Sequence, residues 1–242
     1  MKALLKNRFT GIFLFAVCLL TFRNTIAIAQ DIHDPWKITI YYSPEYTSRI
    51  LSVTSDQPNI KETRKKETGT YGYSLGLNFE KHLNDRFAFG LGGRYSRKGF
   101  KTPLTTLSTP VNGNDQAKGS FKAELFEFPV FVNYSYIKKE KISLFVRVGP
   151  SFNYLIKAKE KTDYYTSGTL TETSELTRDD ANLNNFLMGG NIGTGVQAFI
   201  SENIGFMLMP QFTYFFTPLR KDVPEKERLY SIGVNGGIIL AF

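Results

Sequence analysis

Apolar residues along most of this chain recur at every second position, and the last fourteen residues show the pattern most clearly. Counting back from Phe242, large apolar residues or glycines alternate through Leu240 and Ile238 to Tyr230, while most of the residues between them are small or polar. Successive side chains of a β-strand point to opposite faces. The pattern therefore predicts a strand with one face toward an apolar medium and the other toward a polar, confined space.

Seven earlier segments carry the same alternation, so the sequence predicts eight strands. Residues 71–80 match best, because large apolar residues on one face oppose glycine, serine, asparagine and glutamate on the other. An apolar outward face and a polar inward face are typical of transmembrane barrel strands. The predicted strands begin near Trp36, Tyr71, Phe87, Phe126, Ile142, Met188, Ile204 and Tyr230.

The connections between these strands alternate between short and long. The short ones are 82–86, 137–141 and 201–203; the long, polar and charged ones lie near 47–70, 97–120, 156–184 and 217–228. Outer-membrane barrels have short periplasmic turns and long external loops. The fold class predicted is all-β: an eight-stranded antiparallel transmembrane β-barrel of this kind. A soluble β-sandwich or lipocalin-like barrel is the alternative, disfavoured by the small inward residues and by charges concentrated in one set of loops.

The amino terminus predicts export. An apolar run at 12–20 follows a basic start and precedes the small-x-small sequence at 27–29, as in a secretory signal peptide. The run is shorter than the roughly 20 residues that a membrane-spanning helix needs. We expect residues 1–29 to be removed, which leaves one barrel domain, 30–242, in the bacterial outer membrane. The basic residues of the start are Lys2, Lys6 and Arg8.

Charge and cysteine content narrow the function classes. The chain carries a formal net charge of +8, but residues 1–29 hold four basic residues and no acid, which leaves 8 − 4 = +4. A small surplus spread among many acids does not indicate a nucleic-acid partner. The single cysteine, Cys18, lies within the signal-like run and follows Val17, which disfavours a lipid-anchored cysteine. No disulfide is expected in residues 30–242.

Three short motifs resemble a known family. Residues 124–134 (ELFEFPVFVNY), 145–152 (FVRVGPSF) and 191–196 (NIGTGV) are similar to strands of the PorT-like outer-membrane β-barrel family. The resemblance implies an eight-stranded barrel inserted by the barrel assembly machinery, for which the terminal aromatic Phe242 would serve as the assembly signal. It also implies that a protein secretion system is one possible partner, because one branch of the family is tied to such a system.

The sequence predicts neither catalysis nor a cofactor. Its two histidines, His33 and His82, fall in the amino-terminal stub and in a short turn, away from the outer rim. The acids of 172–180 lack the pattern of a calcium loop, so no metal site is expected. Pro129 interrupts the fourth strand by removing a hydrogen-bond donor, and a β-bulge is expected there.

Five charged residues share the inward phase: Lys37, Glu80, Arg94, Glu127 and Arg147. A buried charge must be paired, and eight strands enclose just enough room for side chains to fill. The favoured interpretation is therefore a lumen polar network of ion pairs. The alternative is a gated polar path.

The remaining candidate contacts lie in the loops. Arg64, Lys65 and Lys66 make the loop at 47–70 basic, as binding to anionic lipopolysaccharide would require. The predicted function is a non-enzymatic envelope-structural or interaction role through the external loops. A small porin for ions or small solutes is one alternative, and an accessory component of a protein secretion system is another. Expected partners are outer-membrane lipid, lipopolysaccharide, the assembly machinery and a possible envelope protein.

Overall fold

The computed structural model describes residues 36–52, 67–221 and 226–242. These residues form ten strands, and no helix among them is long and apolar enough to cross a membrane. The predicted signal peptide at 1–29 lies outside the described residues. The strands are β1 (Trp36–Ser52), β2 (Thr68–His82), β3 (Phe87–Lys101), β4 (Thr105–Val111), β5 (Asn114–Lys138), β6 (Ile142–Thr166), β7 (Thr169–Thr177), β8 (Phe186–Phe199), β9 (Ile204–Phe215) and β10 (Lys226–Ala241).

Eight of the strands close into a ring. The order around it is β1, β2, β3, β5, β6, β8, β9 and β10, and all neighbours are antiparallel. β1 closes the ring on β10, with pairs running from Lys37↔Ala241 to Ser52↔Lys226. Closure gives each strand a hydrogen-bonded neighbour on both sides, which a sheet in lipid requires. The predicted eight-stranded antiparallel barrel is confirmed.

The two faces of the barrel wall have the predicted polarity. On β2, Leu75, Leu77 and Phe79 are exposed on the outside, while Asn78 and Glu80 are buried inside. The same alternation continues on the other ring strands, where apolar residues occupy most outward positions. Lipid requires an apolar exterior, and the barrel has one around a polar interior. A soluble barrel would show the reverse arrangement.

The three short connections are tight turns at one end of the barrel, the short-turn end. In the turn between β2 and β3, the Asn84 Oδ1 accepts hydrogen bonds from the backbone N–H groups of Arg86 (2.9 Å) and Phe87 (2.8 Å). An asparagine side chain that caps its own turn in this way stabilises the reversal. In the same turn, a hydrogen bond from the Lys138 ammonium lowers the pKa of the Asp85 carboxyl.

Two of the long connections contain more strand than the sequence predicts. The regions 97–120 and 156–184, expected as loops, hold β4, β7 and long extensions of β3, β5 and β6. Their hairpins turn at Asn112–Gly113 and Ser167–Gly168, where all four residues have positive φ between 51° and 81° as two-residue primed turns require. Threonine-rich segments favour strands, but they are polar on both faces and so give no apolar alternation.

These extensions form a sheet beyond the barrel at the opposite end, the long-loop end. We call it the outer sheet (residues 105–124 and 157–177); its strand order is β4, β5, β6, β7. β5 and β6 each run for 25 residues through the barrel wall and into this sheet. The outer sheet is therefore a continuation of two wall strands.

The structure has no β-bulge at Pro129, so that prediction is wrong. The pairs Leu91↔Val130 and Arg94↔Glu127 between β3 and β5 keep one register on both sides of the proline. The register shifts of β5 against β6 lie further along the strand in both directions. Pro129 lacks an N–H group, and pairing with β3 is interrupted beside it without any residue being inserted.

Gly149 provides a test of how tightly the wall is packed. A Cβ at this position would lie 1.9 Å from the carbonyl oxygen of Val130, whereas a Cβ at the outward-facing Gly236 would have no atom within 4 Å. Gly149→Ala is expected to lower the free energy of unfolding by about 1–3 kcal/mol, the usual cost of overpacking. Urea unfolding followed by heat-modifiable gel migration would measure it. Gly236→Ala is the control, and equal stability of the two variants would contradict the packing.

Candidate functional site

The part of the lumen nearest the short-turn end is filled by three polar side chains that all bind one another. Arg147 on β6 forms an ion pair with Glu80 on β2, and its Nε donates to the Asn133 Oδ1 at 2.8 Å. Asn133 Nδ2 in turn donates to the Glu80 Oε2 at 2.7 Å. The Arg147 guanidinium also lies over the Phe131 ring, 3.9 Å from its centroid. A buried ion pair is stable only with such additional hydrogen bonds.

A chain of four charges occupies the centre of the lumen. Arg94 on β3 donates from Nε to the Glu127 Oε2 at 2.7 Å. Lys98, also on β3, lies 3.3 Å from the other Glu127 oxygen and forms a second ion pair with Glu45 on β1. The Lys98 ammonium donates as well to the Ser231 hydroxyl at 3.2 Å. Two cations alternate with two carboxylates, so the group carries no net charge.

The structure places the five predicted lumen residues unevenly. Glu80, Arg94, Glu127 and Arg147 are almost fully buried and belong to the two groups above. Lys37 lies apart, near the short-turn end, where its ammonium donates to the Gln197 Oε1 at 3.2 Å and lies 4.7 Å from the centroid of the Phe199 ring.

Sequence reasoning missed two members of the central chain, Glu45 and Lys98. Glu45 continues the odd-numbered inward positions of β1 that begin at Lys37, and Lys98 continues the inward positions of β3 from Arg94. The period-two count therefore contained the signal. For Lys98 the signal is obscured, because this residue falls within the region 97–120 predicted to be a loop.

Two apolar clusters pack against the charges of the lumen. Toward the long-loop end, residues of the barrel wall pack with Leu183 and Leu219, which come from the connections before β8 and after β9. The second cluster lies beside the charges, because the Phe145 ring is 5.7 Å from the Arg147 guanidinium; its members are Tyr41, Phe145, Met207, Met209 and Ile239. The first cluster comprises Phe100, Phe121, Ala123, Leu125, Leu155, Ala158, Ala181, Leu183, Leu187, Phe215, Leu219 and Leu229.

The open space lies at the two mouths of the barrel. A cavity of about 530 Å³ opens at the short-turn end and one of about 470 Å³ at the long-loop end. The cavity found between them, lined by Arg94, Arg147 and Phe131 among others, measures only about 10 Å³. That is about the space of a single water molecule. The two mouths are therefore separated by packed side chains.

The cavity at the long-loop end is lined by paired charges. Arg49 donates to both carboxylate oxygens of Glu67, at 2.9 and 2.7 Å, and lies 2.8 Å from Glu227. Its guanidinium stacks on the Phe100 ring, 3.9 Å from the centroid. The predicted loop contacts Arg64, Lys65 and Lys66 lie outside the described residues.

Among the described residues, no set of three or more His, Cys, Asp or Glu side chains is placed to hold a metal ion. His82 is the last residue of β2, rather than a turn residue, and lines the short-turn cavity. His33 lies outside the described part. Phe242 is exposed at the short-turn end, where its backbone N–H donates to the Trp36 carbonyl at 3.0 Å.

The chain belongs to the family described as outer membrane protein beta-barrel domain, whose model matches residues 29–221. It is thus an integral β-barrel protein of the bacterial outer membrane. No curated protein matches the chain.

Several solved outer-membrane barrels are similar in fold. Neisserial surface protein A is 12% identical, with 86% of this chain and 97% of that chain covered and a TM-score of 0.47. OprG from Pseudomonas aeruginosa is 10% identical, with coverages of 89% and 99% and a TM-score of 0.46. The outer membrane protease OmpT from Escherichia coli is 8% identical, with coverages of 90% and 100% and a TM-score of 0.43. At these values the likenesses carry no argument about what this chain does.

The central charges make a specific stability prediction. Glu127→Gln leaves Arg94 and Lys98 buried with one carboxylate fewer, so the free energy of unfolding should fall by about 3–5 kcal/mol. Asp85→Asn breaks the exposed pair with Lys138, whose side chains are 77% and 52% exposed, and should cost under about 1 kcal/mol. Urea titration of both variants checks this. A loss for Glu127→Gln no larger than for Asp85→Asn would refute the prediction.

Proposed function

We propose that this protein is a non-enzymatic outer-membrane barrel with a sealed lumen, which acts through the surface that it presents at its long-loop end. The observation that carries the proposal is the filled lumen. Two groups of mutually paired charges and two apolar clusters occupy the lumen, and the space among them is about the size of one water molecule. Charges that neutralise one another inside a narrow barrel serve its stability and leave no continuous polar path.

The outer sheet supports an interaction role. Every residue of β7 except Ser174 is exposed, and the second edge of the strand pairs with no strand in the described part of the chain. A free strand edge is a surface to which an extended segment of another protein adds by main-chain hydrogen bonds. An envelope protein is therefore a proposed partner. The other proposed partners are outer-membrane lipid, lipopolysaccharide at Arg64–Lys66, and the assembly machinery, which would recognise Phe242.

Membership of the PorT-like branch is a further part of this proposal. The residues that carry the resemblance lie on β5, β6 and β8, and two of them, Glu127 and Arg147, belong to the lumen charge groups. A role as a secretion-system accessory would follow from that resemblance alone. A stable complex with secretion components, purified from the native membrane, would be its support.

Conductance separates a sealed barrel from a small porin. Folded protein in a planar bilayer is expected to stay silent, because ions would have to displace the paired charges and the apolar clusters packed against them. Heat-modifiable gel migration must first show that the inserted protein is folded, and an open porin serves as the positive control. Steady, ion-selective openings that change on altering Arg94 or Arg147 would mean that the lumen conducts and that the proposal is wrong.

The orientation of the outer sheet can be tested with single cysteines. The only cysteine of the sequence is Cys18, which lies in the predicted signal peptide. Ser167→Cys, in the β6–β7 turn, should react with a membrane-impermeant thiol reagent on intact cells. Lys139→Cys, in a short turn at the other end, should react only after the outer membrane is opened. The reverse pattern would place the outer sheet in the periplasm and remove the interaction surface from the cell exterior.

A further inference from the structure

A basic surface covers the outward side of three neighbouring strands at the base of the outer sheet. Three rows of paired residues cross β3, β5 and β6: Arg97–Glu124–Lys157, then Gly99–Lys122–Lys159, then Lys101–Ser120–Lys161. Lys118, one row further, is paired with Asp163. We call this surface the basic face; its cations are Arg97, Lys101, Lys118, Lys122, Lys157, Lys159 and Lys161.

The basic face lies just beyond the apolar band of the barrel. A strand rises about 3.3 Å per residue and barrel strands tilt by about 40°, so each residue advances roughly 2.5 Å along the membrane normal. On β5, the ten residue steps from Tyr136 to Phe126 cover about 25 Å, the height of the apolar band. Lys122 lies four residues beyond Phe126, roughly 10 Å further. This is within reach of the lipid headgroups for a flexible lysine side chain.

The cations of this surface outnumber the carboxylates on it. Seven basic residues face only Glu124, Asp163 and Glu175. Lys159 is paired with Glu175 at 2.7 Å and Lys161 with Asp163 at 2.9 Å. Among the described residues, Lys101, Lys122 and Lys157 form no ion pair with a carboxylate.

Two of the lysines are direct neighbours across a strand pair. Lys122 on β5 lies opposite Lys159 on β6. Like charges in this position destabilise a sheet, and an anion between them would relieve the repulsion. The adjoining row on β2 and β1 holds Tyr71 and Tyr46, whose ring centroids are 5.9 Å apart. The basic face therefore does not extend onto this row of β1 and β2.

We infer that the basic face binds the phosphate groups of lipopolysaccharide in the outer leaflet, with Lys122 and Lys159 holding one phosphate between them. The inference rests on the lipid partner of the proposed function and names a site on the wall strands. The chemistry fits a lipid phosphate because the cations border an apolar surface, with Phe126 and Tyr154 exposed immediately below them for acyl chains. Juxtamembrane lysines attract anionic lipid headgroups through the same electrostatics.

The test measures lipid retention by the folded protein. Lipopolysaccharide is titrated into the protein in zwitterionic detergent, and bound lipid is counted by native mass spectrometry. Lys122→Gln combined with Lys159→Gln should weaken binding about tenfold or more. Lys138→Gln with Lys141→Gln removes the same charge at the short-turn end and should bind as the original protein does. Lipopolysaccharide stripped of its phosphates should bind the original protein and the Lys122/Lys159 variant equally weakly.

A stability measurement guards against misfolding of the double variant. In detergent alone, the Lys122/Lys159 variant should unfold at nearly the same urea concentration as the original protein, because the lost repulsion between the lysines offsets the loss of the exposed Lys159–Glu175 pair. Added lipopolysaccharide should then stabilise the original protein more than the variant.

Three results would overturn the inference: unchanged binding by the Lys122/Lys159 variant, an equal loss in the short-turn control, or undiminished binding of phosphate-free lipid. Loss of binding only on neutralising Arg64, Lys65 and Lys66 would move the lipid site to that loop. Bilayer conductance is measured separately, so a conducting lumen would refute the sealed barrel without touching the lipid site.

Discussion

The ion pairs of the lumen are the constraint on which the rest of this structure depends. Glu80 and Arg147 lie on β2 and β6, which are separated by two strands in the ring, and Lys98 joins Glu45 and Glu127 from β1 and β5. The Glu80–Arg147 and Lys98–Glu45 contacts reach past the intervening strands, whereas Lys98 and Glu127 lie on neighbouring strands. A change in strand number or register would separate the partners and leave charges buried alone. The interior therefore fixes the ring as firmly as the backbone ladder does.

The same filling explains why the lumen tolerates so little variation in volume. Inward glycines lie where a neighbouring strand or a large side chain comes close, as at Gly90, where an added Cβ would lie 2.4 Å from the Phe131 ring. The space released by glycine on one strand is used by phenylalanine, arginine or methionine from another. The Phe131 and Phe145 rings, for example, pack against the Arg147 guanidinium.

The sequence predicts the ring well because lipid enforces a strict alternation on every wall strand. The tight turns follow from the same alternation, as the gap between His82 and Phe87 shows. Beyond the membrane the constraint disappears. β7, with its threonines, serine and glutamates, is polar on both faces and carries no periodic signal. The ion pairs could not be assigned in advance, because the distance between Glu80 and Arg147 depends on closure of the ring and not on their spacing in the chain. The inward position of Glu45 and Lys98, by contrast, can be predicted from the sequence, since both residues keep the inward phase.

The length of β5 and β6 has a mechanical consequence. The two strands stay paired from Lys138↔Ser143 at the short-turn end to Gln116↔Tyr165 in the outer sheet, with only local register shifts. No loop or linker lies between the part held by lipid and the part that projects from it. A pull on the outer sheet along the strands would load many hydrogen bonds of this ladder in shear at once. The outer sheet is thus held by the wall strands themselves and is not a separate domain attached through a flexible linker.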